Sequence, residues 1–214
     1  MIKRLIALAV TFAFTVPAMA ATLQLDFDYD FSDVNDLDSN PPSGASPWAT
    51  AVFDDGGSTG SVTLTITNFA NEVSGLWFNL DETMDSSLLS ITAAGGTGPA
   101  ANNIYTAAGG ENLKADGSGY YDIAFDLPPP GGDRFDAGET LIYNITGAGL
   151  VASSFNFYSV NETTTGPYLA AAKFQSTGDG EQSAWVAAVP VPAAVWLFGS
   201  ALAGLGFARR RKMA

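Results

Sequence analysis

Leu23-Gln24-Leu25-Asp26-Phe27-Asp28-Tyr29-Asp30-Phe31 alternates apolar and polar residues without a break. Five apolar side chains fall to one side, with Gln24, Asp26, Asp28 and Asp30 on the other. A period of two is that of a half-buried strand, so this stretch is predicted to form one with an acidic outer face. Ser61-Val62-Thr63-Leu64-Thr65-Ile66-Thr67 repeats the pattern with threonines outward, and Tyr121-Asp122-Ile123-Ala124-Phe125-Asp126-Leu127 does so again. Residues 76–80, 140–145, 153–160 and 168–175 are further strand candidates, although the alanines of the last also suit a helix.

Turn chemistry separates these runs. Asp54-Asp55-Gly56-Gly57-Ser58, Gly95-Gly96-Thr97-Gly98-Pro99, Asp116-Gly117-Ser118-Gly119 and Pro128-Pro129-Pro130-Gly131-Gly132 each interrupt a periodic segment. Residues 32–47 read as a loop and 178–188 as a final strand. No apolar stripe of helical period and length stands out. Short strands spaced by such turns predict an all-β fold, a single antiparallel β-sandwich or jelly-roll-like domain.

Between residues 21 and 188 lie all 22 acidic residues and only three basic ones, Lys114, Arg134 and Lys173, a balance of −19. Phosphate contacts need Lys and Arg, so nucleic acid is excluded as a partner. Cysteine and histidine are both absent. A Cys nucleophile, a Ser-His-Asp triad and a His or Cys zinc site are therefore impossible, and carboxylate chemistry is the main enzymatic route left.

The two ends have a different character. Lys3 and Arg4 precede an apolar core over residues 5–16 that is too short to span a bilayer, and Ala18-Met19-Ala20 forms a small-x-small site. This is the pattern of a Sec signal peptide over residues 1–20, cut by signal peptidase between Ala20 and Ala21. At the other end, Val189-Pro190-Val191-Pro192-Ala193 leads into an apolar stretch and then Arg209-Arg210-Arg211-Lys212. Residues 192–208 would make a helix of about 26 Å, near the lower limit for a membrane span. The basic cluster would act as a stop that stays cytoplasmic.

The segment 189–214 resembles a PEP-CTERM sorting signal, with motif, helix and basic end in that order. Val191 stands where many such tails place Glu between the prolines. The stretch from Leu113 to Asp126 and Gly166-Pro167-Tyr168-Leu169-Ala170-Ala171-Ala172 also resemble exported domains that precede such tails. The resemblance implies a Gram-negative, exopolysaccharide-producing and biofilm-forming host. It implies processing by an exosortase-type membrane protease or transpeptidase. The expected path is an inner-membrane intermediate, then the envelope, cell surface or extracellular matrix. Three segments follow: residues 1–20 as leader, 21–188 as an acidic exported domain, and 189–214 as sorting signal.

Candidate chemistry within the domain is sparse. Asp116, Ser118 and Asp122 place oxygens at positions 1, 3 and 7 of a Gly-containing turn, as a calcium loop does. Leu127 stands where a calcium loop has its twelfth-position Glu, and a plain β-turn fits the same residues. Asp26, Asp28 and Asp30, followed by Asp33, Asp36 and Asp38, form an acidic cluster that reads as a solvated face. Glycosidases need two carboxylates at a set separation, but no pair among so many is distinguished. Trp48, Trp77 and Trp185 can stack on sugar rings if exposed, or serve as core. The expectation is a non-enzymatic structural or interaction protein, with an exopolysaccharide-binding module as the alternative and an enzyme such as a glycosidase third. A row of exposed aromatics on one sheet face would favour the sugar-binding alternative, and a cleft with convergent carboxylates would favour an enzyme.

Overall fold

The computed structural model describes residues 20–32, 40–107, 113–128, 133–160, 165–178 and 182–189. Within them the chain is all-β, with two short 3-10 turns, Ser86–Leu88 and Ala152–Phe155. The strands are β1 (Thr22–Asp30), β2 (Ala49–Asp54), β3 (Ser61–Asn68), β4 (Glu72–Phe78), β5 (Ser90–Gly96) and β6 (Asn103–Thr106). They continue with β7 (Leu113–Lys114), β8 (Tyr120–Tyr121), β9 (Ile123–Asp126), β10 (Thr140–Thr146), β11 (Ala170–Thr177) and β12 (Gln182–Ala188). Ten of them form one sheet in the order β5-β10-β3-β2-β1-β12-β11-β4-β9-β6, while β7 and β8 pair separately. Every pairing is antiparallel. The expected leader and the expected membrane helix lie outside the described residues.

The sheet curls until its two halves face each other. Phe125 on β9 and Tyr143 on β10 stand seven strands apart in sheet order. A flat sheet would separate them by roughly 34 Å at the usual strand spacing, yet their ring centroids lie 4.9 Å apart. Phe53 on β2 and Phe78 on β4 are likewise 5.4 Å apart in a T-shaped contact. Phe27, Phe53, Phe78, Phe125, Phe155 and Tyr143 fill the enclosed space and are all fully buried. Such rings bury large apolar areas and prefer these edge-to-face contacts.

β1 makes the corner. Its first half, from Thr22 to Phe27, pairs with β2, and its second half pairs with β12. Phe27 faces Ala188 and Tyr29 faces Ala187, so Asp28 is an extra residue in a β-bulge. Bulges bend strands and let one strand pass between sheets. This one also corrects the expectation that residues 23–31 present a single apolar face. Leu25 and Phe27 point into the main core, but the extra residue inverts the alternation. Tyr29 is 48% exposed, and Phe31 joins a second cluster on the other side of the sheet. Burial, with the nearby Asp26 charge, raises the pKa of Asp28 above the usual carboxylate value.

Two other expectations are revised, and a third is borne out. Residues 153–160 are not a strand: Ala152–Phe155 forms a 3-10 turn, closed by the Ser154 N–H donating to the Val151 carbonyl at 3.0 Å. The Val151 N–H in turn donates to Ser154 Oγ at 3.2 Å. Serine hydroxyls compete with ladder bonding in just this way. The strand expected over 76–80 runs instead as Glu72–Phe78. It stops at Asn79, whose buried amide donates to the carbonyls of Tyr168 and Leu169 at 3.1 and 2.8 Å. The alanine-rich segment resolves to strand β11, because Ala170 and Ala172 lie in the main core while Ala171 lies in the second cluster. A strand sandwiched between two packed layers has room for little else.

Candidate functional site

The half-sheet β12-β11-β4-β9-β6 carries aromatic residues on its outer face as well. Alternation forces this: Leu76, Phe78, Ala172 and Val186 point inward, so Gly75, Trp77, Ala171, Lys173, Trp185 and Ala187 point outward. The register aligns Tyr105, Ala124, Trp77, Ala171, Ala187 and Tyr29 across six strands. The neighbouring row runs Asn103, Asp126, Gly75, Lys173 and Trp185. Large rings stand beside alanine and glycine floors, and the result is a groove of about 410 Å³ lined by Gly75, Trp77, Tyr105, Lys114 and Asp126 among others. That size falls within the range of small-ligand clefts.

Gly75 sets the groove's shape. A Cβ built there would lie 2.6 and 2.9 Å from carbons of the Trp77 ring. The indole therefore rests against the β4 backbone, and only glycine leaves room for it. Trp77 and Trp185 meet at 5.1 Å between centroids, and Lys173 Nζ stands 5.3 Å over the Trp185 ring, a cation–π contact. Asn103 donates to Asp126 at 3.3 Å, which fixes one polar rim of the groove. Tyr105 is 48% exposed.

The basic residues are distributed unevenly. Arg134 forms a salt bridge with Glu72 and donates to Ser176 at 3.4 Å. Of the other two cations of the acidic domain, Lys114 lines the aromatic groove, and Lys173 lies on the next strand opposite Gly75, over the Trp185 ring. Neither lysine nor Tyr105 was distinguished as a site residue by the sequence. The scarcity of cations was the available signal, whereas the role of Gly75 has no sequence signature.

Of the three tryptophans considered for stacking, Trp48 packs against the main core, and its indole N–H is buried with no partner among the described residues. Trp77 and Trp185 are half-buried on the outer face. The second cluster continues through Phe31, Tyr168 and Tyr121. Burial pushes the Tyr121 hydroxyl up to about 12, although Ser118 Oγ lies 3.0 Å away.

Two of the three calcium candidates have other partners. Ser118 is fully buried, its hydroxyl turned to the Ala115 carbonyl and Tyr121, and Asp122 accepts the Leu80 N–H at 2.7 Å. Burial raises the pKa of Asp122, against the effect of that hydrogen bond. Asp116 is exposed in a turn, with φ of 46°. Among the described residues no three carboxylates are grouped to hold a metal.

The residues expected at the leader cut and at the start of the sorting motif lie at the two ends of the described domain. Ala20 and Ala21 are exposed, directly before β1. The Ala21 N–H donates to Asp55 Oδ1 at 2.9 Å, and the Asp55 N–H donates back to the Ala21 carbonyl at 3.2 Å. Asp55 Oδ1 also accepts from the Gly57 N–H at 2.9 Å, and Oδ2 from the Ala152 N–H at 3.3 Å. The bonds from Ala21 and Gly57, in that order, hold its carboxyl below the usual range. Val189 follows β12 immediately and packs on the second cluster. Pro190, Val191, Pro192, Ala193 and the basic stop Arg209 to Lys212 lie outside the described residues. Among the described residues no helix is long and apolar enough to cross a membrane.

No curated protein and no solved structure matches the chain. A family model for the PEP-CTERM protein-sorting motif matches residues 188–212, beginning on the last residue of β12. The match implies export and processing at the membrane by an exosortase. The chain carries a PEP-CTERM sorting motif joined directly to an all-β domain.

Proposed function

We propose that the protein is exported, held briefly by its C-terminal segment, and then released by an exosortase to the envelope, cell surface or matrix, where its β-sandwich domain binds polysaccharide. In this reading residues 1–20 are a Sec leader removed by signal peptidase, and residues 189–214 are a sorting tail with one spanning helix. The host is Gram-negative. The role is structural or interactive rather than catalytic.

The groove between Trp77 and Tyr105 carries the ligand reading. Sugar rings have an apolar C–H face, which an indole or phenol can cover, and a polar rim, which Asn103 and Asp126 can meet. Lys114 lines the groove together with Asp126, and Lys173 stands on the next strand opposite Gly75, so charged groups of both signs can meet sugar hydroxyls.

The test is binding of the mature protein to purified polysaccharides: the host's own, a uronate-rich polymer and a neutral glucan. Expected are retention on the host's own polysaccharide, a loss of about tenfold or more with Trp77→Ala, since stacking a ring is worth about 1–3 kcal/mol by analogy with bases on aromatics, and a weaker affinity with Lys114→Gln, which removes a charged donor from the groove. Failure to bind any polysaccharide would leave a purely structural or protein-binding role.

A further inference from the structure

We propose that Asp55 is a receiving site for the α-ammonium group that leader removal creates at Ala21. The proposal rests on cleavage after Ala20 and is independent of any sugar ligand.

In the uncut chain Ala21 contributes a neutral amide, whose single hydrogen is donated to Asp55 Oδ1 at 2.9 Å. Hydrolysis by signal peptidase and one water breaks the Ala20–Ala21 peptide bond. The Ala20 carbonyl takes the hydroxyl, and the Ala21 nitrogen takes the hydrogen. At neutral pH the new amine gains a further proton and becomes a cation. It then sits within ion-pair distance of a carboxylate that is already in place. Its remaining hydrogens reach water, because Ala21 is exposed. A neutral hydrogen bond thus becomes a charge-assisted one, which is shorter and stronger.

The site is built around this end of the chain. Asp55 is buried to 8% relative exposure. It lies in the turn that joins β2 to β3, and its carboxylate gathers N–H groups from that turn, from the Ala152 segment and from Ala21. The Asp55 N–H bonded to the Ala21 carbonyl fixes the nitrogen's position independently of its charge. An uncut leader can pass outward through exposed Ala20 without displacing any of these contacts. Maturation then tightens the corner strand onto the sheet at the moment the protein leaves its leader.

The sign of the pH effect follows. Pairing raises the folded-state pKa of the amine above its ordinary 7.7–8.0. The stabilisation is fully present below that ordinary value and is lost as pH rises through the raised one. Asp55, whose pKa is lowered, sets the acid limit: the pairing is lost as pH falls through that lowered value.

The test uses mature protein isolated from the host envelope, with N-terminal sequencing to establish its first residue. Labelling of the α-amine by an amine-reactive reagent is followed from pH 6 to 10 in wild type and Asp55→Asn, which keeps an acceptor oxygen but removes the charge. The expected midpoint is about one pH unit higher in wild type, with the variant near 7.7–8.0. A readout that needs no substitution is selective acetylation of the wild-type α-amine. It should lower Tm at pH 6 and have little effect at pH 10. A first residue other than Ala21, equal midpoints, or an unchanged Tm at pH 6 would each overturn the proposal.

Discussion

Replacing Phe125 and Tyr143 by leucine, singly and together, tests whether the sheet closes on itself. The two residues belong to strands seven places apart, and an open sheet gives them no means of interacting. In the closed sheet the rings meet at 4.9 Å with an interplanar angle of 61°. Edge-to-face pairs of this kind carry about 0.5–1.5 kcal/mol beyond their buried area. Leucine keeps the sites apolar, so each single change should cost about 1–3 kcal/mol. For a domain of this size that is a fall in Tm of about 2–4 °C per kcal/mol. Tyr143→Leu should be the costlier, since the tyrosine hydroxyl also accepts the Ala101 N–H at 2.8 Å. The double variant should then be less destabilised than the sum, by about 0.5–1.5 kcal/mol. Urea unfolding of the four proteins measures this, with equal m-values as the check that the comparison is sound. Strict additivity, within the few tenths usual for distant sites, would refute the closed arrangement.

Gly75→Ala should lift the Trp77 indole from the backbone, changing its near-ultraviolet circular dichroism and weakening polysaccharide binding severalfold; an unchanged spectrum would contradict the contact. Asn79→Ala removes a buried amide that joins the end of β4 to the start of β11, and should cost about 1–3 kcal/mol in chemical unfolding. Asp122→Asn tests the sign of a pKa shift. Burial raises the folded-state pKa of Asp122, so wild type should lose stability relative to the variant as pH rises from the ordinary carboxylate value of 3.8 through the raised one. Melting curves between pH 3 and 8 should therefore diverge upward, and parallel curves would show that the carboxyl is not destabilised by burial.

The fold class was legible because three long segments alternate cleanly, and because glycine-rich turns separate them. The bulge at Asp28 was not legible. Its position inverts the alternation, but Tyr29 and Phe31 are as apolar as the residues before them, and the outer face they reach is itself aromatic. A pattern that distinguishes core from solvent cannot register a change from one apolar layer to another. β2 was missed for a simpler reason: Ala49-Thr50-Ala51-Val52-Phe53-Asp54 is short and follows a loop. Trp77 and Trp185 were visible as candidates. Their neighbourhood was not, because Tyr105, Lys114 and Lys173 come from three separate segments and meet only through sheet register. Asp55 looked like one more turn aspartate, and only the three-dimensional pairing with Ala21 distinguishes it.

The seam between β1 and β12 imposes an order on biogenesis. The strand made first has as its partner the strand made last, so the ribosome must finish residue 188 before the ladder can close. Until then the second half of β1 presents an unpaired edge, and such edges invite association with other chains. A polypeptide crossing the membrane as an extended thread would carry that exposed edge ahead of it. Its partner emerges just as the sorting segment reaches the bilayer, since the matched motif begins on the last residue of β12. On the export route proposed above, arrest of the thread at that segment would coincide with delivery of the final strand. Closing the ladder and holding the chain at the membrane would then fall to neighbouring residues, and a chain cut short before β12 could complete neither.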